Sequence, residues 1–227
     1  MPPSDFDAPD PRDDAERRAA LVATVRRLDA RGLNRGSTGN ASVRDAAGQG
    51  LWITPTGMGA EVEADDLAWL SLDGATVRGR WQPSSEAPFH LAAHQARPDR
   101  GAVLHTHSPH ATALACLQRE LPPFHYMVAV AGADRVPLVP YHLFGTEALS
   151  QGVAVALAGC DAALLAHHGL VAIGATIERA EHVLAEIEAL CGIYLQALAV
   201  AEPPLLTPAQ MAEVLARFRG YGRAHRA

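Results

Sequence analysis

The run AVLHTHSPH at residues 102–110 holds the most informative transition in the chain. Ala102, Val103 and Leu104 are apolar and lead directly into His105-Thr106-His107, which reads as the end of a buried strand. Ser108 then offers an N-cap and Pro109 a preorganised first helical position, so a helix follows at once. Residues two apart on an extended chain face the same side, so His105 and His107 can converge on one point. A strand running into a capped helix is also where α/β sheets build their sites. By itself the tripeptide fits two satisfied core histidines equally well, and it specifies neither an ion nor a reaction.

The segments on either side repeat the strand-then-helix texture. Downstream, a strand is expected near residues 136–139, a helix at 146–158, a strand at 162–166 and a long helix from Thr176 to about residue 200. Thr207-Pro208 opens a final helix. Upstream, a first helix is expected over residues 14–31, then a loop rich in Gly, Asn and Ser at 32–42 and short strands near 42–43 and 51–54. Segments 69–72 and 75–78 flank Asp73-Gly74, the signature of a type I′ hairpin. Residues 84–96 read as a helix opened by Pro83-Ser84-Ser85. The expectation is one α/β domain over residues 15–227, behind a disordered tail at 1–14, with mixed strand pairing imposed by the hairpin.

Composition narrows the chemistry. The 227 residues carry 19 basic and 25 acidic side chains, a formal charge of −6, and every basic residue among them is arginine. Without lysine there can be no Schiff-base aldolase, pyridoxal enzyme, Walker-A nucleotide site or kinase. The negative charge and the lack of a polybasic stripe argue against a nucleic-acid partner. No apolar run is long enough for a membrane span, and no signal pattern opens the chain. Cys116, Cys160 and Cys191 are odd in number and far apart, which suits a reducing, cytoplasmic setting rather than a disulfide framework.

Against that background the 11 histidines need an explanation. His167-His168-Gly169 is a second apolar strand ending in histidine, and either imidazole could supply a third nitrogen. Adjacent strand residues point opposite ways, so only one of the two is expected to do so. Three histidines with an open position make the pattern of a catalytic zinc site. Ser84-Ser85-Glu86 combines two hydroxyls with free N–H groups at a helix start, an anion cradle with a carboxylate beside it, although an ordinary cap has the same composition. Gly36-Ser37-Thr38-Gly39-Asn40 and Thr54-Pro55-Thr56-Gly57 place hydroxyls next to glycines, which suits phosphate binding without lysine. His90, four residues after Glu86, reads as orienting its neighbours. His94, His142, His182 and His225 have no companion at ligand spacing, and His110 reads at most as supporting the others.

In this order the motifs GLNRGSTGNASV (32–43), WITPTGM (52–58), PSSEAPFH (83–90), HTHSPH (105–110), FHYMVAVAG (124–132), HHGL (167–170) and FRGYG (218–222) resemble the class II aldolase/adducin family over about residues 15–221. The resemblance implies a central, mostly antiparallel sheet flanked by helices, and a homotetramer with active sites between subunits. It implies zinc on His105, His107 and His168, Glu86 as acid/base and metal ligand in the substrate-free state, and phosphate on Ser37, Gly39, Asn40, Thr56, Gly57, Ser84 and Ser85. Tyr126 would arrive from a neighbouring subunit as a proton donor, and Tyr221 would close over substrate. The implied reaction is cleavage of a ketose 1-phosphate, such as L-fuculose 1-phosphate, to dihydroxyacetone phosphate and an aldehyde. Dehydration, decarboxylation or deoxypentulose-phosphate cleavage on the same scaffold is the alternative, and a non-catalytic adducin-like module a more distant one. Three positions depart from the family pattern: Ala224 replaces an arginine after the tail tyrosine, HTHSPH stands for HNHAVH, and Ala87-Pro88 replaces a Trp-Arg pair. These changes fall where the aldehyde half would be recognised.

Overall fold

The computed structural model describes residue 10 and residues 12–218. Its first helix, α1 (Asp14–Ala30), opens on a capping box in which Asp13 and Glu16 satisfy each other's backbone N–H groups. Arg12 forms an ion pair of 2.8 Å with Glu178. Residues 12–14 therefore belong to the folded body, a correction to the tail expected through Asp14, while residues 1–9 and 11 lie outside the described set.

Four strands follow: β1 (Asn40–Arg44), β2 (Gly50–Ile53), β3 (Ala68–Ser71) and the two-residue β4 (Val77–Arg78). The β3–β4 hairpin forms, but its turn is not type I′. Gly74 alone takes positive φ, its N–H reaches Ser71 O, and Asp73 keeps negative φ while its carboxylate accepts the Ala75 N–H. An aspartate that bonds its own turn in this way has no need of the left-handed conformation.

Helix α2 (Ala87–Ala96) begins three residues later than expected, because Ser84 Oγ accepts the Glu86 N–H ahead of the first helical turn. Then come β5 (Ala102–Thr106), α3 (Pro109–Cys116), β6 (Leu138–Val139), α4 (Glu147–Leu157), β7 (Ala162–Leu165), β8 (Gly169–Gly174), α5 (Ile177–Leu198) and α6 (Pro208–Phe218). Strand β8 was not foreseen. The eight strands form one mixed sheet in the order β4-β3-β2-β1-β5-β8-β7-β6, antiparallel throughout except for the β6–β7 pair.

Alternation along the central strands sorts the core into two layers. Ala41, Val43, Ala102, Leu104, Leu170 and Ala172 pack on the side of α1, α3 and α5. Val103, Val171 and Ile173 pack on the other side with Phe89 and Ala93 of α2 and Leu149 and Val153 of α4. His105 continues the odd-numbered set of β5, and Asn40 and Ser42 alternate with Ala41 and Val43 on β1. The sheet period therefore delivers three polar side chains to the α2 face.

Candidate active site

His105 stands in β5, His107 one residue beyond it, and His168 in the tight β7–β8 turn. Cross-strand registry sets Thr106 against Leu170, which brings the ends of β5 and β8 together. Gly169 is needed for that approach, since a Cβ there would lie 2.3 Å from Thr106 O. The selection between the paired histidines comes from the turn and not from strand alternation. His167 takes a left-handed φ of 57° and is exposed, where it meets Gln118 Nε2 at 3.1 Å, while His168 turns inward.

The three imidazoles of His105, His107 and His168 lie with ring centroids 4.7–4.9 Å apart. They are also the three-residue group among the described residues able to share one metal ion, their donor atoms lying within 4.8 Å of one another. Leu170 O, 3.0 Å from His105 Nδ1, takes that nitrogen's hydrogen and leaves an unprotonated Nε2 facing the cluster. The Nε2 atoms of His105 and His107 are 3.1 Å apart. Two nitrogens on one tetrahedral zinc at about 2.0–2.1 Å would be about 3.3 Å apart, so the His105–His107 pair already stands at the spacing that one divalent ion requires. Burial, reinforced by the neighbouring imidazoles, pushes His105 down to about 3 and lowers His107, which keeps these donors unprotonated.

Glu86, the residue before α2, closes the cluster. Its Oε1 lies 3.1 Å from His168 Nε2 and its Oε2 3.3 Å from His105 Nε2. Burial alone would raise its pKa, but His168, His105 and the Asn40 amide outweigh burial and hold the carboxyl below its usual range. The carboxylate is therefore charged and directed at the point where the imidazoles meet.

Beside it opens a cleft of about 390 Å³ lined by Ser37, Gly39, Asn40, Thr56, Gly57, Ser84, Ser85, Glu86, His107 and His168, with Thr38, Pro55 and Phe144. That volume lies in the ordinary range for small-molecule sites, roughly 300–1,000 Å³. The seven residues that the resemblance assigns to phosphate are all in this wall, whereas Gly36 and Thr54 of the same loops are not. Thr38 and Thr56 spend their N–H groups on Arg35 O and Gln82 O, whereas those of Ser37, Gly39, Gly57 and Ser85 carry no intrachain hydrogen bond among the described residues. Gly39 has a φ of +73°, and a Cβ there would meet His105 O at 2.6 Å, so the loop lies directly against the metal strand. Asn40 plays a second part, since its amide bonds Glu86 on one side and His90 on the other.

Several expectations resolve differently. Tyr126 begins a 3-10 helix (Tyr126–Ala131), is exposed, stacks on His125 and does not line its own chain's cleft. Tyr221 lies outside the described residues. Ser108 makes no side-chain cap; the buried Glu188 of α5 reaches across instead, accepting the N–H groups of His110 and Ala111 at 2.8 Å each. His110 pairs with that carboxylate and stays away from the cluster. His94, expected to be inert, joins the polar network behind Glu86 through Ser42. Phe144 carried no signal in the sequence, because a loop after a two-residue strand brings it to the cleft. A wider groove of about 760 Å³ between α2 and α4 contains no histidine, so size alone does not mark the site.

The chain belongs to the class II aldolase and adducin N-terminal domain family, whose model matches residues 19–195. The three-histidine centre, the carboxylate and the hydroxyl-lined cleft all fall within that span. Among individual relatives, a 5-methylthioribulose-1-phosphate/5-deoxyribulose-1-phosphate aldolase of Rhodospirillum rubrum is 44% identical over 90% of this chain and 92% of its own length. The L-fuculose phosphate aldolase of Escherichia coli K12 is 42% identical over 89% of this chain and 94% of its own. A solved L-fuculose 1-phosphate aldolase superposes with a TM-score of 0.86 at 35% identity, covering 90% of this chain and 96% of that one. These relatives are class II aldolases, which are lyases. Among the described residues no helix is long and apolar enough to cross a membrane.

Proposed function

We propose that the protein is a zinc-dependent aldolase that cleaves a ketose 1-phosphate to dihydroxyacetone phosphate and an aldehyde. The observation that carries this reading is Glu86 at 3.3 Å from His105 and 3.1 Å from His168, with His107 in the same cluster, on the wall of a cleft lined by hydroxyls and glycines. A divalent ion held by the three imidazoles supplies Lewis-acid polarisation of the ketone half. Ser37, Gly39, Asn40, Thr56, Gly57, Ser84 and Ser85 anchor the phosphate, and that remote binding energy orients the reacting carbons. In cleavage the aldehyde-side hydroxyl gives up its proton and the carbon–carbon bond breaks with its electron pair staying on the ketone half; Glu86 takes up one proton in exchange and passes it to that carbon, so none is gained or lost overall. In condensation the Glu86 carboxylate removes the same proton, a task that requires its charged form.

Tyr126 is exposed and absent from its own cleft, which supports a role in a neighbouring copy, handling the proton of the aldehyde oxygen. That arrangement requires an oligomer, a homotetramer on the family pattern, with Tyr221 closing over the substrate. Two substrate classes compete. The 42% relative points to L-fuculose 1-phosphate, and the 44% relative to a 5-deoxy- or 5-methylthio-pentulose 1-phosphate. Both share the dihydroxyacetone phosphate half and differ in the aldehyde, where Ala87-Pro88 departs from the family pattern. Supplying each sugar phosphate and following triose phosphate with a coupled dehydrogenase distinguishes them. Absence of triose phosphate from every one of them overturns the aldolase reading.

A further inference from the structure

Behind Glu86 a line of polar groups runs into the core of the α2 face. His90, Ser42 and His94 are 0%, 0% and 1% exposed. Asn40 Nδ2 donates to Glu86 Oε2 at 2.7 Å, and Asn40 Oδ1 lies 2.6 Å from His90 Nε2. Ser42 Oγ is 2.8 Å from His90 Nδ1 and 3.0 Å from His94 Nε2. The line exists because two periodicities coincide: Asn40 and Ser42 are two apart on a strand, and Glu86, His90 and His94 recur every four residues along and just ahead of a helix.

Donor and acceptor chemistry gives the line a single direction. A carboxylate only accepts, so Asn40 must present its NH2 to Glu86 and its carbonyl to His90. His90 must then carry its hydrogen on Nε2, and its bare Nδ1 takes the Ser42 hydroxyl hydrogen. The Ser42 oxygen in turn accepts from His94 Nε2–H. Burial holds both rings far below their usual range, so each is neutral with one N–H to give. Every donor therefore points toward Glu86.

We propose that His90 is a positioning residue for Glu86: it clamps Asn40 with the amide N–H facing Oε2, while Ser42 and His94 lock His90 in the Nε2–H form. The proposal rests on the aldolase reading of Glu86 and deepens it. With Oε2 committed to Asn40, Oε1 is the oxygen left to move the proton. Without His90, Asn40 Oδ1 loses its donor and the amide is free to swing away from Oε2.

Two measurements test this. Long-range nitrogen–proton NMR on protein labelled in its histidines reads the tautomers directly. Nε2–H forms at His90 and His94 are expected, and an Nδ1–H form at His90 overturns the proposal whatever the enzyme acts on. The second measurement follows exchange of dihydroxyacetone phosphate hydrogen with deuterated solvent, the half-reaction assigned to Glu86, alongside metal content. His90→Leu should slow exchange on the order of 10–100-fold, the cost typical of lost supporting hydrogen bonds at a metal site. KM for the triose phosphate and bound metal should hold, and His90→Gln, which keeps an N–H near the Nε2 position, should recover much of the rate. If Gln is no better than Leu, or if KM and metal content fall together, His90 is merely structural. Ser42→Ala, a smaller change should the His90 variants fail to fold, is expected to show the same split with a smaller loss; unchanged exchange contradicts the lock. A wild-type protein that exchanges nothing would sink the aldolase reading, while the tautomers would still decide the direction of the line.

Discussion

His107 offers one of the three nitrogens of the cluster and, among the described residues, its ring makes no hydrogen bond outside it, so His107→Ala should lose stoichiometric metal and turnover together while far-UV circular dichroism stays unchanged. Elemental analysis by mass spectrometry beside the coupled assay reads both quantities. Glu86→Gln should behave differently. It keeps the three imidazoles and the bond from Asn40 but cannot accept a proton, so metal should remain while turnover falls by about 10²–10⁴-fold. A fully active Glu86→Gln enzyme removes the acid/base assignment. At this scale the sequence was informative where spacing is local. His105-Thr106-His107 and Ser84-Ser85-Glu86 lie on single short segments, and both reach the site. Ser42 carried no site reading and His94 was read as having no companion, because each acquires meaning only from the other, across two elements.

Among the elements, α3 shows how a capping expectation fails. Ser108-Pro109 has the right composition, yet the orphan N–H groups of the first turn are met by Glu188, 77 and 78 positions further along the chain. Because α3 starts directly after His107, that carboxylate also anchors the end of the metal strand. Glu188→Ala leaves two N–H groups unpaired and should lower stability by about 1–3 kcal/mol in urea unfolding; an unchanged midpoint contradicts this role. Helices α1, α4 and α5 were legible because each combines a capping residue with a one-sided apolar stripe. Strand β8 was not, since it is buried on both faces and carries no alternation to separate it from a connecting loop.

For the molecule as a whole, the buried histidines fix the sign of the pH response. Burial, helped by the Arg44 charge, pushes His94 down from 6.5 to about 3 in the folded state. The unfolded chain therefore binds more protons between those values, and stability falls as pH drops from about 6.5 toward about 3. One such residue gives a slope of up to about 1.4 kcal/mol per pH unit, and His90 adds in the same direction. Denaturant titrations between pH 7.5 and 5 should record the decline, and a flat profile would contradict it. Assembly has its own test. If Tyr126 serves a neighbour's site, inactive Glu86→Gln and Tyr126→Phe chains mixed before oligomerisation should regain about a quarter of wild-type activity, the share of sites that receive both intact residues. No recovery on mixing places Tyr126 outside the neighbouring site.

Composition and local pattern narrowed the class of chemistry: the lack of lysine, the paired histidines at two strand ends and the hydroxyl–glycine loops favoured a metal site beside an anion cradle, and the order of the motifs added the family resemblance. Spacing left His167 and His168 open and only the family resemblance named His168; turning His168 inward, committing Asn40 to Glu86 and sending Glu188 to cap α3 required the folded chain. Each of these is set by a turn, a cross-strand register or a helix packed from far along the sequence, and contacts between segments that distant leave no periodic trace in either one alone.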